Sequence, residues 1–244
     1  MNEGVIPLLV VGVVALFVVL AAVGAVSAGR RRKAMAAWAQ SLGLRFSPQR
    51  DYGMAARLPG FAVFGQGRNQ YAYNVVSGVF EGREVVAFDY HYETQHTETI
   101  REKDANGNMR TRTETRTTHH HFSAVLVRPE LQLKPLLIRP EGLFDKVADF
   151  FGKGDLDFES SEFSRRYHVT APDRRWAYDV LHARTIDFLL DQPRLVVEMD
   201  PHHVLVLRPG QAMMSPEIFD AALRTADQLL DLLPEYVRRD AGGR

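Results

Sequence analysis

Cysteine is absent from all 244 residues. That excludes disulfides, a thiolate nucleophile, an acylated N-terminal cysteine and any zinc site built on thiolates. An excess of one charge is missing too, since 30 Lys and Arg balance 30 Asp and Glu. A chain held on nucleic acid by phosphate neutralisation needs surplus cations, so no nucleic-acid partner is expected. No Asn-x-Ser/Thr sequon occurs, and no period of roughly 20–50 residues marks a solenoid. Gly-x-Gly-x-x-Gly, Gly-x-Ser-x-Gly and His-Glu-x-x-His are all missing, and Gly60 to Gly67 lacks the Lys-Ser/Thr of a phosphate loop. None of the familiar catalytic signatures is therefore available.

Charge is also lacking over one long stretch. Gly4 to Gly29 carries no ionisable side chain and is mostly Val, Leu, Ala, Ile and Phe, closed by Arg30, Arg31, Arg32 and Lys33. As a helix rising ~1.5 Å per residue this run reaches roughly 39 Å, enough for a hydrocarbon core of about 30 Å. The run is thus expected to be a transmembrane anchor, 1–29, in contact with the lipid bilayer. A cleaved signal peptide would place its cations before a shorter apolar core. Here Met1-Asn2-Glu3 has no side-chain cation and the basic cluster follows the run, although Ala25, Ser27 and Ala28 resemble a cleavage site. The positive-inside rule makes Arg30, Arg31, Arg32 and Lys33 the membrane-flanking residues on the cytoplasmic side. The expected placement is a single-pass protein of the cell membrane, with its N-terminus outside and its C-terminal domain in the cytoplasm.

Roughly 215 residues follow, long enough for one sizeable core or two small ones. They divide into a juxtamembrane helix and linker, 30–60, and an α+β domain, 61–240, with a subdivision placed at Gly152-Lys153-Gly154. Lys33 to Leu44 continues the helix, with Met35, Trp38 and Leu42 on one stripe and Gly43 as its stop. Phe61 to Phe64, Tyr71 to Phe80 and Glu84 to Tyr92 read as strands, the last two joined at Glu81-Gly82. Leu136 to Ile138 is a short strand, and Glu141 to Phe151 has a helical stripe. Asp155 to Phe158 and Ser164 to Thr170 read as strands. Asp173 opens a helix that breaks near His182, Leu195 to Leu207 forms a hairpin, and Ser215-Pro216-Glu217 starts a last helix. The fold class is α+β: an N-terminal transmembrane helix, a mostly antiparallel sheet with a long polar β-hairpin, and C-terminal helices.

The hairpin is the most informative soluble stretch. Asn106-Gly107-Asn108 is a turn signal. Centring on Gly107 sets Glu98 against Arg116, Glu102 against Arg112, Thr97 against Thr117, Tyr92 against Phe122 and Phe88 against Leu126. Such pairs contribute roughly 0.2–1 kcal/mol each. The outer part is polar on both faces and reads either as an arm or as a disordered insertion.

Two clusters carry possible chemistry. Asp89, His91 and Glu93 alternate on one strand, and His119 and His121 on its partner, so all five share a face. Imidazoles and carboxylates together can bind a divalent metal of the first transition row; the plainer account is a solvated polar face. No other cofactor is expected. Asp155, Asp157, Glu159 and Glu162 form an acidic group without the Asp-x-Asp-x-Asp-Gly calcium loop. Surface ion pairing with Arg165, Arg166, Arg174 and Arg175 accounts for it.

Asp157-Phe158-Glu159, Glu162-Phe163 and Arg166-Tyr167-His168-Val169, followed by Ala177, Leu181, Leu189 and the Leu195–Leu207 hairpin, form a recognisable order. It resembles a family of bacterial membrane-anchored proteins of unknown function, in which a transmembrane segment precedes a cytoplasmic α+β domain. The likeness spans Asp155 to Leu207, with an echo at Phe88-Asp89-Tyr90. It implies the architecture and brings no catalytic residues. Without site chemistry to place, the expected function is a non-catalytic interaction module binding a protein partner or a second copy of itself. The alternative is a metal sensor or metal-dependent enzyme.

Overall fold

A computed structural model describes residues 5–103, 109–141 and 156–242. A single helix, α1 (Val5–Ser41), joins the charge-free run to the domain without interruption. Within α1 the side chains are described from Ala22 onward, together with Ala15 and Val19. Among the residues so described, no helix is long and apolar enough to cross a membrane. Most of the charge-free run lies ahead of that part. Gly43, at φ +69°, turns the chain after α1, a conformation glycine adopts without a Cβ penalty.

The domain is organised on an eight-stranded sheet with spatial order β1-β2-β3-β4-β8-β7-β5-β6. Its strands are β1 (Arg45–Ser47), β2 (Arg68–Phe80), β3 (Arg83–Lys103), β4 (Met109–Val127), β5 (Leu136–Pro140), β6 (Tyr167–Thr170), β7 (Val196–Met199) and β8 (Val204–Leu207). Every pairing is antiparallel. The helices are α2 (Met54–Arg57), α3 (Ser161–Arg166), α4 (Arg174–Val180), α5 (Ala183–Asp191), α6 (Pro216–Asp231) and α7 (Glu235–Gly242).

Both sheet faces are apolar, so both must be covered. On one face Val85, Ala87, Val125, Val127 and Val206 meet Met35, Trp38 and Ala39 of α1 and Phe219, Leu223 and Ala226 of α6. Trp38 stacks on Phe219 with ring centroids 5.3 Å apart. Burial of this kind makes Trp38→Ala a change costing about 3–5 kcal/mol. On the other face Phe88, Tyr90, Phe122 and Ala124 lie under Met54, Leu58, Phe61, Val63 and Phe64. Arg83, the first residue of β3, grips Asp227 and Asp231 of α6 and ties the helical layer to the sheet.

Three expectations need correction. Ala62 to Gly65 is a 3-10 turn rather than a strand; its buried Val63 and Phe64 form a lid on the sheet and so mimic strand residues. Ser161–Arg166 is a helix, with the Ser160 hydroxyl accepting from the Phe163 amide at 3.3 Å. Only Tyr167–Thr170 of the segment read there is strand, pairing with β5. Leu156 to Phe158, read as strand, is irregular chain. The helix read over Glu141–Phe151 and the joint at Gly152-Lys153-Gly154 lie outside the described residues, apart from Glu141 itself.

The β3–β4 hairpin exists, but its register differs by two residues. Tyr90 opposes Phe122, His91 opposes His121, Thr97 opposes Thr115 and Glu98 opposes Glu114. The rooted half decides this. Asp89, Tyr90, Phe122, Ser123 and Ala124 are fully buried, and burying such side chains outweighs polar pairs worth a few tenths of a kcal/mol. A shift of two keeps every side chain on its face, so the facial assignment of the histidines survives. Glu98 and Arg116 become diagonal neighbours instead of direct partners.

Candidate functional site

The five expected metal-face residues separate into two adjoining clusters. Asp89 belongs to the first. It is fully buried and receives the Arg31 guanidinium through two oxygens, Nε to Oδ2 at 2.6 Å and Nη2 to Oδ1 at 2.5 Å. The Asn74 amide donates to Oδ2 at 2.8 Å, and the Ser123 hydroxyl donates to Oδ1 at 2.8 Å. Arg31 also reaches the Met214 carbonyl at 2.9 Å, and the Met214 amide donates to Ser123 Oγ at 2.9 Å. Burial opposes the charge on Arg31, but the bond to Asp89 and its charge more than offset this, so the guanidinium pKa is raised. With both oxygens engaged this way, Asp89 latches α1 to the sheet.

The basic cluster therefore divides as well. Arg30, Arg32 and Lys33 are exposed, while Arg31 turns into the domain. One helical cation is engaged by the sheet, and its three neighbours face solvent.

His91, Glu93 and His119 form the second cluster, two to four residues further along β3. His91 Nε2 lies 3.2 Å from His119 Nδ1, and His119 Nδ1 lies 3.4 Å from Glu93 Oε1. One donor atom from each of the three falls within a 4.8 Å span. His91 stacks on Tyr71, centroids 4.5 Å apart, and its Nδ1 meets the Asn69 carbonyl at 3.1 Å. A carbonyl only accepts, so Nδ1 carries the proton and Nε2 presents its lone pair to His119. The Asn69 side-chain amide also donates to Glu93 Oε1 at 2.7 Å. That bond holds the Glu93 carboxyl below its ordinary range, against a smaller opposing effect of desolvation.

His121 stands beside this trio, its ring 4.8 Å from that of His91. Its Nδ1 is paired with the Tyr73 hydroxyl at 3.0 Å. Desolvation, then the charges of His91 and His119, push its pKa down. Burial also pushes the Tyr73 hydroxyl pKa up, so Tyr73 acts as the donor.

Local backbone irregularity makes both clusters. β2 slips register against β3 between Arg68 and Tyr71 and again between Tyr73 and Val76. Asn69 and Asn74, each at φ +51°, sit in those irregularities, and asparagine tolerates that conformation better than most residues. Gly67, at φ +64°, lets the chain approach β3; a Cβ there would lie 2.2 Å from the Glu93 carbonyl oxygen. Sequence reasoning missed Asn69, Tyr73, Asn74 and Ser123, and named Arg31 only as a membrane-flanking residue. The usable signal was two asparagines inside a strand of β-branched and aromatic residues, a composition that argues for bulges.

The acidic group does not form a strand face. Asp155 lies outside the described residues, and Asp157 and Glu159 occupy irregular chain before α3. Lys134 pairs with Asp173 at 2.7 Å and Arg175 with Asp179 at 3.9 Å, ordinary exposed contacts.

Among solved structures, the crystal structure of the mycobacterial trehalose monomycolate transport factor A, TtfA, is similar in fold. It superposes with a TM-score of 0.55 at 19% sequence identity, covering 84% of this chain and 94% of that one. At that identity the likeness concerns the fold alone. No protein-family profile and no curated protein matches the chain.

Proposed function

We propose that this is a single-pass membrane protein whose α+β domain is fastened against the inner face of the bilayer and binds a protein partner there, without catalysis of its own. One observation carries the reading: α1 is uninterrupted from Val5 to Ser41 and is latched to the sheet by Arg31, two residues past the end of the charge-free run. A flexible tether would let the domain wander. A helix whose Arg31, Met35 and Trp38 are bound into the domain holds it at a set distance from the lipid instead.

The helix also sets which end of the sheet faces the membrane. Leu44 packs at Gly78, which opposes Val85, while Arg31 meets Asp89. Moving along β3 from Val85 past Asp89 thus follows α1 toward its apolar half. The histidine cluster and the base of the polar arm sit at the sheet end nearer the bilayer. Exposed Arg30, Arg32 and Lys33 suit an anionic inner leaflet. Beyond Glu93 and Phe122 the arm has neither β2 nor β8 beside it, leaving two edges on which a partner strand can add.

Fractionation tests the anchor and crosslinking tests the arm. The full chain should stay with membranes through an alkaline carbonate wash, and a chain lacking residues 1–29 should be released. A photoreactive residue at Thr97 or Thr115 should crosslink one protein species in native membranes. Release of the full chain by alkali contradicts the anchor, and crosslinks to lipid alone contradict the protein partner.

A further inference from the structure

We propose that His91 Nε2, His119 Nδ1 and Glu93 Oε1 form a binding site for one divalent cation of the zinc type, oriented by Asn69. Distances come first. Two donors bound to one tetrahedral ion at ~2.0–2.1 Å are separated by about 3.3–3.4 Å. The His91–His119 and His119–Glu93 separations are 3.2 and 3.4 Å. The remaining edge, between His91 and Glu93, lies within 4.8 Å, and rotation about the Glu93 side-chain torsions closes it. Ion binding replaces the hydrogen bond between the two imidazoles, with the His119 proton carried on its other ring nitrogen.

The second argument is the layer behind the donors. Histidine ligands characteristically give their other N–H to a carbonyl or carboxylate, and carboxylate ligands are themselves hydrogen-bonded. Asn69 does both from one residue: its carbonyl fixes the His91 tautomer and its amide holds Glu93. It does so from a left-handed backbone conformation, next to the close approach at Gly67. A merely solvated polar face needs neither constraint. Tyr71 closes one side of His91 by stacking, and the Tyr73–His121 pair borders the other.

The donor chemistry selects the ion. Two imidazoles and one carboxylate suit zinc, cobalt or nickel better than magnesium or calcium, which take oxygen ligands. Three protein donors leave a coordination position toward solvent, where a partner's side chain or a water can bind. Asp89 takes no part, being held by Arg31, and His120 lies on the opposite sheet face, stacked on Tyr92 at 4.5 Å.

The test uses the full chain in detergent, purified without a histidine tag and titrated with Zn²⁺ or Co²⁺ alone. One equivalent should bind, and the cobalt form should show the visible absorption of a four-coordinate site. His119→Gln, at an exposed position that leaves the fold intact by circular dichroism, should abolish stoichiometric uptake. Asn69→Gly keeps the backbone conformation and the carbonyl but removes the amide, and should weaken affinity roughly 10–100-fold. His120→Gln and His96→Gln should bind like the unaltered chain. Failure to take up one equivalent, or several weak ions unaffected by His119→Gln, overturns the proposal, as does unchanged affinity in Asn69→Gly.

Discussion

Replacing Arg31 by Met keeps the aliphatic stem of the side chain and removes the guanidinium, leaving the Asp89 carboxylate buried with only Asn74 and Ser123 as donors. Removing one partner of a buried ion pair costs about 3–5 kcal/mol. The two single substitutions should not cost the same. Asp89 is fully buried while the Arg31 side chain is 24% exposed. Arg31→Met therefore strands a charge in the interior and belongs at the upper end. Asp89→Asn leaves a cation that can still reach water and belongs at the lower end. For a domain of this size ~1 kcal/mol moves Tm by about 2–4 °C, so the pair predicts losses of roughly 6–20 °C. Because the side chains act as one unit, the double substitution should cost less than the sum, by about 2 kcal/mol or more. The assay is thermal and urea unfolding of the full chain and its three variants in one detergent. A cost below about 1 kcal/mol for Arg31→Met, the level of a surface pair, or strict additivity, would refute the latch.

Two other expectations concern stability and the arm. Burial, with the nearby charge of Asp200, pushes the Glu198 carboxyl up to about 8, and its Oε2 has no hydrogen-bond partner among the described residues. The folded chain then keeps a proton that the unfolded chain releases above its ordinary carboxyl pKa of about 4.5. Stability should fall as pH rises from about 4.5 to 8, by ~1.4 kcal/mol per unit, and level off above. Glu198→Gln should flatten that slope and raise stability at pH 8, measured by urea unfolding from pH 5 to 8.5; parallel curves for the two chains would contradict it. Among the described residues, replacing Thr97 to Thr117 with a short glycine turn removes mostly exposed polar side chains, so unfolding free energy should change by about 0.5 kcal/mol or less. An aggregating product would show that the arm supports the core.

The parts legible from sequence were those with a strong period or clear punctuation. Met35, Trp38 and Leu42 share a helical stripe that meets the sheet in the structure. Glu81-Gly82, with φ of +48° and +87°, is the turn its composition suggests. The break at His182 separates α4 from α5. Features decided by distant contacts were not legible. Phe61, Val63 and Phe64 are apolar because they roof the sheet, and nothing local separates a roof from a strand. Ser160 caps α3, yet a two-turn helix lies beneath the reach of periodicity. The hairpin register was argued from the polar arm, whereas the buried root sets it. Arg31 looked like its three basic neighbours because its partner lies 58 residues away. The histidine face was legible through strand alternation, which survives a two-residue slip. Its split into a latch and a donor trio was not, because it depends on α1 reaching Asp89 and on Asn69 standing in a bulge.

The central claim is that the charge-free run crosses the bilayer and sets the domain on its inner side. The chain has no cysteine, so single cysteines can be introduced and labelled with a membrane-impermeant maleimide on intact cells. The account predicts that Asn2→Cys is labelled from outside while Met109→Cys, at an exposed position on the arm, is labelled only after lysis. Labelling of Met109→Cys in intact cells would contradict it.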